Sequence, residues 1–259
     1  MNHPPPVRLD VERDVATITL ARPQALNALD FAAIESLRHA IDRATAMPDA
    51  RAIVLRGEGQ SFCGGGDVAA MHAEQADLPA FIGRMIDSFN ACVMALNGTQ
   101  LPVIASVHGA VAGGGISLAL ACDLVVAARD TRFVTAYAQL GGCADGGLSF
   151  WLTRRLGAAR AFELLTLHTR FSAEEACALG LVNRVVDAER ADEEALAWAR
   201  QFAALPRQSA AELKQLTAVQ ARDDLRAHLA REKAAFVRCA ATEDFSRRVA
   251  AFASRGSAA

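Results

Sequence analysis

Two glycine clusters, Gly64–Gly66 and Gly113–Gly115, limit more than any other feature what this chain can fold into. Each sits between an apolar strand-like run and a helical pattern. ARAIVLRG leads into SFCGGGDV, and PVIASVHG leads into AVAGGGISLALACDLVVAA. Short apolar runs of this kind read as buried strands, and strands alternating with helices argue for parallel α/β units. The same strand–glycine–helix design used twice predicts a repeated unit with bare backbone at two helix starts.

The flanking sequence fits. VRLDVERD and DVATITLA alternate apolar and polar residues and predict two strands. Asp30 is placed to cap a helix carrying Phe31, Ile34, Leu37 and Ile41 on one face. Helical patterns cover Val68–Ala76 and Leu78–Leu96, then ADGGLSFWLTRRLG and AARAFELLTL, and everything beyond Glu189 reads as helix broken at Leu205–Pro206. The 259 residues, 52% apolar, can bury a sizeable core. A formal net charge of −2 with interspersed charges argues against nucleic-acid binding. No run is long and apolar enough for a membrane span, and MNHPPPVRLD lacks the pattern of a signal peptide. The six cysteines show no metal-type spacing, so none is expected to hold a metal. Reduced thiols and a cytoplasmic location are the expectation.

Taken singly, either cluster is a tight turn or a close helix–strand contact. Phosphate cradling is a poorer fit, because the Walker lysine is missing after Gly66 and GGGDV is not GxGxxG. Taken together, two helix starts with unpartnered N–H groups can aim at one oxygen and form an oxyanion hole.

At this point the sequence resembles a known family. RPQALNAL at 22–29, SFCGGGDV at 61–68, PVIASVHGAVAGGGISLALACDLVVAA at 102–128, ARAFELLTLHTRFSAEEACALGLVNRVV at 159–186 and EDFSRRVAAF at 243–252 are similar to the crotonase (enoyl-CoA hydratase/isomerase) superfamily, epoxyphenylacetyl-CoA isomerase-like members especially. The resemblance implies an α/β spiral of ββα turns over residues 1–195 and a helical oligomerisation subdomain over 196–259. It implies a coenzyme A thioester as substrate, with no permanently bound cofactor, and a homotrimer or a hexamer of paired trimers. Gly66 and Gly114 would supply the two N–H groups of the oxyanion hole. Coenzyme A would lie along Arg22, Gln24, Ala25 and Leu26 and along Phe62, Gly64, Gly66, Asp67 and Val68. Phe245 and Arg248 would reach a neighbouring subunit's coenzyme site.

The carboxylates decide which chemistry to expect. The two glutamate positions of family hydratases carry Ser117 and Tyr137 here, and a hydroxyl of ordinary acidity is a poor base near neutrality. Asp145, in GGCADGGLSFW, matches the position at which some family isomerases carry an acting aspartate. It also stands where an Asp-Gly-Gly would cap the following helix. Tyr137 is open to two roles, packing in an acyl pocket or proton transfer. A dehalogenase-like hydrolase would need a histidine where Asn90 stands. Cys143 and Cys63 read as packing residues. Phe81, Met85, Phe89 and Trp151 suggest a large apolar pocket. The leading expectation is an isomerase using Asp145. An atypical hydratase and a non-catalytic acyl-CoA binder are the alternatives.

Overall fold

The computed structural model describes residues 5–218 and 221–256. The chain begins with β1 (Val7–Glu12) and β2 (Val15–Leu20), an antiparallel hairpin, followed by α1 (Phe31–Ala46). Asp30 starts α1 by accepting from the Ala33 N–H at 2.8 Å, the cap its sequence position predicts. Next come β3 (Ala52–Gly57), β4 (Ser61–Cys63), α2 (Val68–Ala73) and α3 (Leu78–Gly98). The pattern then repeats with β5 (Val103–Val107), β6 (Ala110–Ala112) and α4 (Gly114–Leu120). A further turn contains β7 (Leu124–Ala128), β8 (Arg132–Val134), α5 (Leu148–Leu156) and α6 (Ala158–Thr166). It closes with β9 (Arg170–Ser172), α7 (Ala173–Ala178) and β10 (Arg184–Val186).

Two sheets result. The larger has the order β1-β2-β3-β5-β7-β10, parallel from β2 onward; the smaller has the order β4-β6-β8-β9. After the β1–β2 hairpin, the turns beginning at β3, β5 and β7 each lay one strand in each sheet and then a helix, which is the expected spiral of ββα turns. Strands β3, β5 and β7 are buried on both faces, which is why they read as continuous apolar runs. On one face α1 and α3 pack Leu37, Ile41 and Ile82 against Ile18, Ile53 and Leu55. On the other lies α8 (Ala191–Ala203), whose Ala191, Ala195 and Ala199 recur every four residues. Their small side chains let the helix sit close on Ala52, Val54 and Val126.

The boundary expected at residues 195/196 falls inside α8, because that alanine stripe belongs to the sheet's own core. The helices that leave the spiral are α9 (Arg207–Ala218), α10 (Ala221–Ala240) and α11 (Glu243–Gly256). They fold back on their own chain. α9 is tied down by buried Lys214, which pairs with Asp123 at 2.8 Å and donates to the Leu101 carbonyl at 2.8 Å. α10 lies along α3, and α11 lies against α2.

Candidate active site

The two glycine clusters meet. A Cβ on Gly65 would stand 2.7 Å from the Ala112 carbonyl oxygen and 3.3 Å from the Gly114 nitrogen, and Gly65 has φ +90°. Only glycine combines that conformation with so close an approach. The bridge between Leu29 and Gly66 uses the Gly65 carbonyl (2.8 Å from the Leu29 N) and the Asp67 N–H (3.1 Å from the Leu29 O). The N–H of Gly66 itself takes no part in this pairing. Gly114 is the first residue of α4, where an N–H has no acceptor within the helix. Gly66 and Gly114 line one cavity with Asp145, and Leu29, Ile34, Met85, Ile86 and Phe89 complete its wall.

Asp145 is brought there by the turn before α5. A Cβ on Gly114 would lie 3.7 Å from its Oδ1. The Tyr137 hydroxyl donates to that same oxygen at 2.8 Å, and the Ser117 hydroxyl donates to the Asp145 main-chain carbonyl at 2.7 Å. The two hydratase-glutamate positions therefore hold side chains that fix Asp145 in place. Burial raises the Asp145 carboxyl to about 7; the Tyr137 hydrogen bond opposes the rise and the charge of Glu232 adds to it. Burial, reinforced by the neighbouring Asp145 charge, pushes the Tyr137 phenol well above its ordinary value, so Tyr137 acts here as a donor. Proton transfer through a phenolate is disfavoured.

The capping role open to Asp145 is filled by another residue. Gly147 is the N-cap of α5 and brings no side chain. Instead Glu232, from α10, accepts from the Gly147 N–H at 2.7 Å and from the Ser149 N–H at 2.9 Å, and Ser149 Oγ donates to it at 2.6 Å. Sequence reading missed Glu232. A signal was present: Leu225, Leu229, Glu232 and Phe236 follow one another at spacings of four, three and four and are all buried, so an acid stands on an apolar stripe.

Other expectations need correction. Asn90 lies in a groove between α3 and α10, with Met94, Leu229 and Val237; the α3 residues that border the cavity are Met85, Ile86 and Phe89. Asn90 therefore does not line the cavity that holds Asp145. Of the four suggested pocket residues, Met85 and Phe89 line the cavity. Phe81 packs edge-on against Phe31 at 5.2 Å, and buried Trp151 packs against Phe150. The cavity itself is about 20 Å³, room for one water rather than an acyl chain. Phe62 is fully buried and cannot meet a ligand with its ring. The Arg22 guanidinium is held by Asp30 (3.1 Å), Asp67 (3.2 Å) and the Ala28 carbonyl (2.6 Å), which neutralises it as a phosphate ligand. Asp67 also caps α2 by accepting from the Ala70 N–H at 3.1 Å. Gln24 and Leu26 are exposed, and Ala25, Gly64 and Val68 are half-buried beside them.

Phe245 is 1% exposed and packs in its own chain on Phe236, with ring centroids 5.8 Å apart, so it cannot reach a neighbour. Arg248 pairs with Asp244 at 2.7 Å and donates to the Gln139 carbonyl at 3.2 Å. Burial pushes the thiols of Cys63 and Cys143 up to about 12, in keeping with packing roles. Among the described residues no group of three metal-binding side chains occurs, and no helix is long and apolar enough to cross a membrane.

The fold is that of the crotonase superfamily. The enoyl-CoA hydratase/isomerase family model matches residues 10–259, and the chain belongs to that family. It is 38% identical over 176 residues to a probable enoyl-CoA hydratase of Rhodobacter capsulatus, an alignment spanning 68% of this chain and 66% of that protein. It is 35% identical over 197 residues to 1,2-epoxyphenylacetyl-CoA isomerase of Escherichia coli, spanning 76% of this chain and 75% of that one. An enoyl-CoA hydratase crystal structure from Mycobacterium avium subsp. paratuberculosis superposes with a TM-score of 0.86 at 26% identity, covering 96% of this chain and all of that one.

Proposed function

We propose that this chain isomerises an acyl-CoA, moving a double bond or rearranging an epoxide, with Asp145 as its single acid/base. The observation that carries the reading is the shared cavity of Gly66, Gly114 and Asp145, with no carboxylate at Ser117 or Tyr137. The thioester oxygen accepts from the N–H groups of Gly66 and Gly114. The Asp145 carboxylate removes a proton from a carbon of the acyl group, and the electron pair moves into a dienolate whose charge rests on the thioester oxygen. Each donor at such an oxygen contributes roughly 2.7–4 kcal/mol to the transition state. The same carboxyl then returns the proton to a different carbon. Tyr137 holds Oδ1, which leaves Oδ2 to carry the proton. A carboxyl near 7 suits both halves of the cycle. To admit the acyl group the Met71 and Met85 methyls, which crowd Gly66, must move. Methionine is flexible enough to do so.

Coenzyme A is assigned to the exposed loop at Gln24, Ala25 and Leu26 and to the backbone of Gly64, Asp67 and Val68. The assembly is a homotrimer or hexamer, which would cover exposed Phe162 and Leu167. Calorimetry with free coenzyme A tests the first, with no heat at millimolar ligand counting against a preformed site. Light scattering tests the second, and a monomer would contradict it. The relatives described as probable hydratases favour a second reading, hydration at an atypical site. Mass spectrometry in ¹⁸O-water separates the two: an isomer at unchanged mass supports isomerisation, and a product heavier by one labelled water overturns it.

A further inference from the structure

A hydrogen-bond chain of fixed direction runs behind Asp145. Arg231 donates to His228 Nδ1 at 3.2 Å, so the His228 proton lies on Nε2, which meets Ser149 Oγ at 2.7 Å. Ser149 Oγ in turn donates to Glu232 Oε1 at 2.6 Å. This direction excludes Ser149 as a nucleophile, because its histidine neighbour offers a proton instead of accepting one. The chain ends on a carboxylate that also takes the N–H groups of Gly147 and Ser149, two and four residues beyond Asp145. Between them Gly146 (φ +60°) and Gly147 (φ +84°) make a turn with no side chain of its own to hold it.

We infer that Glu232 is a positioning residue for the acid/base. From α10 it clamps the turn that carries Asp145, and its charge adds to the burial that raises the Asp145 carboxyl. The inference rests on the reading of Asp145 as the acid/base and goes beyond it, since it places control of that residue in a helix outside the spiral. The groups around Glu232 are few. His228 stands one helical turn before it on α10, and Arg231 directly precedes it. Ser149, Cys143 and Tyr137 face it from the segment that carries Asp145, with Cys239 further along α10 against Cys143. Burial lowers the His228 imidazole below its ordinary value, the Glu232 carboxylate opposes this and Arg231 adds to it.

The experiment is a carbon-13 NMR titration of the Asp145 carboxyl in the full chain without substrate, assigned through Asp145→Asn, together with amide exchange at Gly147 and Ser149 and turnover. Glu232→Gln removes the charge, and the Asp145 half-point is expected to fall by about one pH unit. Glu232→Asp keeps the charge but shortens the reach. It is expected to leave the half-point raised while both amides exchange at least tenfold faster and kcat falls about tenfold with KM unchanged. A half-point unmoved in Glu232→Gln overturns the electrostatic role. Native amide protection and turnover in Glu232→Asp overturn the clamp, and that variant decides alone if the glutamine variant does not fold. Because the titration is read without substrate, its failure is distinct from a failure of the isomerase reading.

Discussion

The Tyr137 phenol donates to Asp145 Oδ1 at 2.8 Å, and this contact sets the ionisation of the candidate acid/base against the burial that opposes it. Tyr137→Phe keeps the ring that packs edge-on against Phe236 and removes only the donor. A hydrogen bond to a charged group is worth about 1.5–3 kcal/mol, or about one to two pH units. The acid limb of the kcat/KM profile should therefore move up from near 7 by about that much. An unmoved limb would mean that Asp145 is not the titrating group.

Asp145→Asn should lower isomerase turnover by about 10²–10⁴, the usual contribution of a general base. Glu232, and not Asp145, caps α5, so the helix should be untouched, and circular dichroism should match wild type. Wild-type turnover on every substrate accepted by the native chain would remove Asp145 from the mechanism.

The same substitution should make the fold more stable at pH 8. A carboxyl raised from its ordinary 3.8 to about 7 holds its proton in the folded chain and loses it in the unfolded one between those values. The stability it contributes is complete below pH 3.8 and is lost as pH rises through 7. By linkage the loss amounts to up to about 4 kcal/mol. Denaturant midpoints of the asparagine variant should exceed wild type at pH 8, and the gap should narrow towards pH 5. A gap independent of pH would contradict the raised value.

Gly114→Pro removes one oxyanion donor at a helix position that tolerates proline. Gly113 has φ +48° and ψ −119°, the mirror image of the extended conformation that proline demands of its predecessor, so the peptide can accept it. Turnover should fall about 10²–10³-fold with the fold retained. Full activity would show that the Gly114 N–H is not at the reacting oxygen.

Much of this protein was determined by local sequence. Alternation fixed the β1–β2 hairpin, apolar runs fixed the buried strands, and Asp30 fixed the start of α1, because each of these depends on residues within a few positions of one another. The glycine clusters marked the bare backbone that lines the cavity for the same reason: a strand ends and a helix begins around them. Asp145 was legible as an unmatched carboxylate, yet its two open roles were not separable from its neighbours in sequence. Only the tertiary structure decided them, by bringing Glu232 to the start of α5 across 85 residues of chain, where it took the capping role and left Asp145 to the cavity. Phe245 and Phe236 lay in a helical tail whose periodicity was plain but whose facing partner was not. Periodicity shows that a helix has an apolar side and carries no information on which surface, its own chain's or a neighbour's, will cover it. Burial of the Asp145 carboxyl likewise depends on Phe89, Met85 and Tyr137 closing around it from separate elements, so its shift to about 7 exists only once they are packed together.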